Sequence, residues 1–279
     1  MGLAIANNAD DLKSDWQFSL GIGAGVRTNP VAYASDMPII LLPQVEYSGE
    51  RFFIQNLDMG YILSENKNHQ LNLLLTPSYD QMFFDRWNSG NFFVESGNNL
   101  LGTGSNSAPS QNPEPLEPPI RDSDESFADK NQFSLHKRRI TALGGLEYNF
   151  SMAELDWQLH WVHDLLDLHN GNEIRLVASR DWRGSRSALK MSLGLIWQDE
   201  NTLNYYYGLT PEETASENVY RPDAEVSALL RLDWNYRLTE NWDLRLFTSY
   251  RQLGYAIKQS PVIEDDKIVT LFVGGVYHF

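Results

Sequence analysis

The chain has 279 residues, no cysteine and a formal charge of −15. That charge offers no basic surface to neutralise phosphates and so excludes nucleic acid as a partner; the missing cysteines exclude disulfide staples and thiolate metal sites. No stretch approaches the roughly 18 apolar residues of a membrane-spanning helix, which leaves open a membrane barrel whose strands alternate.

The start, MGLAIANNADDLKSDW, has neither a basic segment nor an apolar core, so it is not a signal peptide. A mature secreted chain, its signal peptide removed, and a cytosolic chain both begin this way. Residues 1–14 read as an N-terminal extension. The first pattern is DWQFSLGIGAGVR, where Trp16, Phe18, Leu20, Ile22, Ala24 and Val26 share one face. Gln17, Ser19, Gly21, Gly23, Gly25 and Arg27 share the other. Such period-2 alternation is long for a soluble strand and fits the roughly 9–11 residues of a tilted membrane strand. It recurs at Ile39–Tyr47, Leu71–Tyr79, Leu155–Trp161, Leu230–Tyr236 and Leu244–Tyr250, and in the final VTLFVGGVYHF.

The spacers fall into two alternating classes. Short ones lie at 48–50, 150–153, 183–186 and 239–241. Longer ones lie at 28–37, 62–69, about 97–133, 167–172, 208–223 and 257–267. Short turns on one rim and long loops on the other are the layout of an outer-membrane barrel. Eleven strands are firm, and a single-chain bacterial barrel needs an even number. A short strand at 91–95, NFFVE, restores parity. The fold expected is a single all-β domain over 1–279, an antiparallel transmembrane β-barrel of about twelve strands, with ten and fourteen as alternatives. Short turns would be periplasmic and long loops extracellular. Segment 97–133, rich in Gly, Ser, Asn, Pro and acids, cannot pack a core and is expected to be a long mobile acidic loop.

LHWVHDLLDLH, 159–169, holds three of the six histidines. On a strand His160 and Asp164 share a face about 13 Å apart, too far for one metal, while His163 points away. His160 is therefore expected to line the lumen, and no metal or other cofactor is expected. No nucleophile elbow is present and no spacing singles out a Ser–His–acid set, so a non-enzyme is expected. Trp16, Tyr47, Tyr79, Trp161, Tyr205, Tyr206 and Trp242 fall near expected strand ends and suit an aromatic girdle. The run YYYG at 205–208 could instead offer a glycan-stacking platform. Arg231, Asp233, Arg237, Asp243, Arg245 and Arg251 would face the lumen, either as a selectivity lining or as a salt-bridged plug.

The last third carries the most specific stretches: NTLNYYYGLTPEETA (201–215), VYRPDA (219–224), NYRLTENWDLRLFTSYRQLG (235–254), QSPVIEDD (259–266) and the terminal LFVGGVYHF. Together they resemble the MipA/OmpV family of Gram-negative outer-membrane proteins. GIGAGV, LPQVEYSGERFFI and DMGYIL look like the family's first strands, and region 86–133 departs most. The resemblance implies a barrel in the bacterial outer membrane, surrounded by lipid and lipopolysaccharide. It implies that Tyr277 and Phe279 form the terminal signal read by the barrel-assembly machinery. It further implies a scaffold role, bridging a murein lytic transglycosylase and a bifunctional murein synthase. The rival function is a small-solute or ion channel.

Overall fold

The computed structural model describes residues 15–32, 34–84, 134–214 and 218–279. Twelve strands close into one antiparallel barrel: β1 Asp15–Arg27, β2 Met37–Ser48, β3 Phe52–Gln55, β4 Asp58–Asn66, β5 His69–Pro77, β6 Ala142–Met152, β7 Leu155–Asp164, β8 Asn172–Arg183, β9 Ser187–Gln198, β10 Glu225–Arg237, β11 Trp242–Gln252 and β12 Lys267–His278. Each strand pairs with its sequence neighbours, and β12 returns to β1 from Ser19↔His278 to Arg27↔Thr270. Closure leaves no open edge at that seam, which hydrocarbon would otherwise penalise. Among the described residues two α-helices lie in the loops, α1 at Glu200–Tyr207 and α2 at Tyr255–Lys258.

The even strand count arises differently from the sequence expectation. The twelfth strand comes from a hairpin, β3–β4, that turns at Asn56 and Leu57, with Asn56 left-handed at φ 55°. Asparagine tolerates that conformation better than most residues. The four residues of β3 are too few to display a period of two, so FFIQNLDMGYIL reads as one strand. Segment 62–69 is correspondingly not a long loop: β4 and β5 continue through most of it and turn at 67–68, on the short-turn rim. The expected strand 91–95, the loop 97–133 and the extension 1–14 lie outside the described residues.

Along β2, only Glu46–Ser48 pair with β3. From Met37 to Gln44, β2 has a ladder partner on β1 alone among the described residues. Pro43 falls in that stretch on the same edge as Val45, whose N–H turns away from β1 to the Asn56 side chain, so its missing donor faces the side without a ladder partner, while Pro38 sits at the start of β2.

Alternation sorts the side chains. Phe18, Ile22, Leu73, Leu159, Leu193, Leu246, Leu271 and Val273 form part of an exposed apolar belt around the outside. A belt this continuous is a liability in water and is what a lipid-facing wall requires. The inner face carries Asn72, Glu147, His160, Arg175, Ser192, Arg231, Asp233 and Arg245, all buried.

Candidate functional site

The outer face at the short-turn rim carries Trp16, Tyr47 and Trp242. Trp16 is 46% exposed and packs on Tyr47 at 4.8 Å between ring centroids. Trp242 meets Tyr277 at 5.2 Å, and Tyr277 meets Phe279 edge-on at 4.9 Å. The Phe279 N–H donates to the Phe18 carbonyl at 3.0 Å, so the last residue is tied to β1. Trp161 is 49% exposed, farther up the wall on β7.

Tyr205 and Tyr206 are not girdle residues. The segment that reads as a strand end is α1, which Asp199 caps by accepting from the Thr202 N–H at 3.0 Å. The helix turns Tyr206 and Tyr207 inward, where both are fully buried, so YYYG offers no stacking platform. Tyr205 lies edge-on to Tyr206 at 4.9 Å and accepts from the Arg139 N–H. Tyr79 is not on the lipid face either. β5 stops at Pro77, the chain bends inward, and the Tyr79 hydroxyl donates to Asp58 at 2.7 Å.

The lumen residues separate by height. Near the middle, Asp233 accepts from Arg231 at 3.1 Å and from Arg245 at 2.6 Å. Both guanidinia lie over the Phe247 ring, at 4.9 and 5.4 Å. All three charged residues are 4% exposed and Phe247 is fully buried, so the lumen is filled at this level. Farther round the wall, on β6 and β7, His160 Nε2 lies 2.9 Å from Glu147, which also accepts from Asn72 and Asn149. Lower down, Asp243 pairs with His278 at 3.1 Å. Arg237 lies at the end of β10 and is exposed on the short-turn rim, outside the packed lumen. Arg251 lies higher, away from the Asp233 group. Among the described residues no group of three or more His, Asp or Glu is placed to hold a metal.

The sequence reading missed what Arg251 binds. After β5 the segment 78–84 folds into the mouth of the barrel, with a 3-10 turn at Asp80–Phe83. Asp80 accepts from Arg251 of β11 at 2.9 Å and from Gln198 of β9 at 2.6 Å. β5 and β11 stand opposite each other in the ring, so these bonds cross the lumen. Above them Val31, Tyr79, Met82, Phe83, Leu203, Tyr206, Tyr207, Leu253, Ile257 and Ile268 form one buried apolar cluster. Phe84 joins its two halves, with ring contacts to Tyr206 at 6.4 Å and Tyr207 at 6.0 Å. Burial here pushes the Tyr206 and Tyr207 hydroxyls above the usual phenol value. Beside the cap, burial pushes the Glu213 carboxyl up, but the His136 and Thr210 N–H groups and Arg138 outweigh it and hold the group below its usual value. A sequence signal for the cap does exist: Pro77 ends the donor ladder, and an acid follows at Asp80 where a continuing strand would put a lumen residue.

The family model described as MltA-interacting protein MipA matches residues 20–279. The MltA-interacting protein of Escherichia coli (strain K12) is 23% identical over an alignment covering 100% of this chain and 97% of that one. A protein of the same organism named as outer membrane protein YiaT is 22% identical, covering 93% of this chain and 91% of that one. Among solved structures the chain is similar to the NanC porin, at 7% identity and TM-score 0.42, covering 94% and 99% of the two chains. With a closed twelve-stranded wall, an apolar belt and a family match from the first strand to the last residue, this chain is an outer-membrane protein and belongs to the MltA-interacting protein MipA family.

Proposed function

We propose that this protein is a non-enzymatic scaffold of the outer membrane, bringing a murein lytic transglycosylase and a bifunctional murein synthase together at its periplasmic rim. The observation that carries this reading is membership of a family whose relative in Escherichia coli is named for interaction with MltA. The packing of the barrel supports it. The mouth is capped, and the mid-lumen is occupied by buried ion pairs and Phe247, so the chain invests its polar interior in bracing the wall. A small-solute channel is the second reading, favoured by the polar inner face and opposed by that same filling.

A scaffold has little surface to work with on the periplasmic side. The turns are 49–51, 67–68, 153–154, 184–186 and 238–241. Contact therefore falls on exposed turn side chains such as Arg51, Arg186 and Glu240 together with the inner rim. The test is to refold the barrel in detergent, immobilise it, and pass each enzyme over it. Saturable micromolar or tighter binding, weakened by alanine at Arg51, Arg186 and Glu240, is the expected result. Absence of binding to both enzymes removes the scaffold reading.

A further inference from the structure

The segment 78–84 is not part of the sheet. Its backbone meets the wall through the Ser78 N–H on the Thr141 carbonyl at 2.9 Å and through the Phe83 carbonyl, which accepts from the Asn29 side chain at 2.9 Å. Otherwise it closes on itself, Met82 N–H to the Tyr79 carbonyl and Phe84 N–H to the Gln81 carbonyl. The charged group that crosses to the far side is the Asp80 carboxylate, which is 4% exposed and held by Arg251 and Gln198, while the Tyr79 ring lies under Arg175 of β8 at 5.3 Å and Tyr79, Met82 and Phe83 pack in the apolar cluster with α1. Gln198 also donates to Glu173, which pairs with Arg175. Asp80 thus ties the inward-folded segment to a charged network on β8, β9 and β11.

From this arrangement we propose that Asp80 latches a two-piece cap, residues 78–84 and α1, over the extracellular mouth, and that releasing the latch admits small hydrophilic solutes to the lumen. Two physical features make it a latch. Apart from those two backbone hydrogen bonds the segment is attached by side chains, so it can swing about Pro77 without breaking a strand ladder. Loss of the Asp80 charge leaves Arg251 buried without its counter-ion, and water becomes its best partner. The groups beneath the cap favour water as well. Arg175 Nη1 and Arg251 Nε and Nη2 are buried donors without a hydrogen-bond partner, and buried donors of that kind are costly until hydrated. The inference rests on the cap and not on the scaffold reading, which enzyme binding tests separately.

The absence of cysteine supplies the assay. Ser227 faces the lumen at 2% exposure, four residues above Arg231 on β10 and so between the cap and the filled mid-lumen, whereas Ser185 lies exposed on a turn. In the full chain, refolded in detergent, Ser227→Cys is titrated with a small charged thiol reagent, and Ser185→Cys serves as the open reference. Folded barrel alone is scored, by its heat-modifiable mobility on a gel. With the latch intact, Cys at 227 is expected to react far more slowly than Cys at 185. Asp80→Ala and, separately, Arg251→Gln are expected to raise the rate about tenfold or more, the scale expected when a buried pair loses one member. The exchange Asp80→Arg with Arg251→Asp is expected to restore slow labelling, which a merely misfolded cap would not do. Rates that stay within about twofold of the parent in both single variants, or a parent that labels as fast as the reference, overturn the proposal.

Discussion

Four arginines read alike on the last strands, yet they meet three different environments. Arg231 and Arg245 share Asp233 beneath Phe247, Arg251 holds the cap, and Arg237 is exposed at the rim. Removing the acid of a buried pair leaves uncompensated charge. Asp233→Ala, which strands two guanidinia, is expected to cost about 3–5 kcal/mol. Arg237→Ala is expected to change stability by no more than about 0.5 kcal/mol, as surface substitutions do. Urea unfolding in lipid vesicles, followed by tryptophan fluorescence, measures both. Equal effects would mean that the lumen pairs contribute nothing the rim does not. The period of two placed all four residues on the inward face, but height along the strand and the choice of partner depend on which strand lies opposite.

At the scale of the element, the hairpin β6–β7 is strained. Its two turn residues, Ala153 and Glu154, are both left-handed, at φ 54° and 63°. A two-residue hairpin turn of that hand suits Asn-Gly, and each ordinary L-residue forced into it costs about 1–2 kcal/mol. Replacing Ala153-Glu154 by Asn-Gly is expected to stabilise the barrel by about 1 kcal/mol, after the entropy cost of the new glycine. The replacement also removes the Glu154 partner of Arg180, an exposed pair of little weight. A higher urea midpoint at unchanged slope confirms it, and an unchanged or lower midpoint refutes it. Such a turn can be located from sequence, since the alternation breaks at 150–153, but its handedness follows from the strands it joins. α1 is the reverse case. Its tyrosines resemble a strand end because three aromatics in a row carry no period, and only the Asp199 cap and the apolar cluster around it turn the segment into a helix.

At the scale of the whole molecule, closure depends on the β1–β12 seam. Gly23 faces Gly274 there, and the Phe272 ring lies across both on the lumen side. A Cβ added at Gly23 would strike the Val273 carbonyl oxygen and that ring. Gly23→Val is therefore expected to block closure. The expected readout is loss of the heat-modifiable band with strand content by circular dichroism reduced. A variant that migrates like the parent would show that the seam has room to spare. The seam joins the first strand to the last, so its tolerance is a property of the closed ring and of no single strand.

The sequence alone determined the all-β barrel, its alternating lipid and lumen faces and the two kinds of rim. Those features are local: a strand's faces follow from adjacent residues, and turns follow from short breaks in the alternation. It also carried the family likeness, because the matched stretches are continuous. The tertiary structure decided where the twelfth strand comes from, which arginine pairs with which acid, and that the mouth is capped. Those features rest on partners distant in the chain, Asp80 and Arg251 being 171 residues apart. Contacts of that range leave no period and no spacing to read, and only closing the ring brings them within bonding distance.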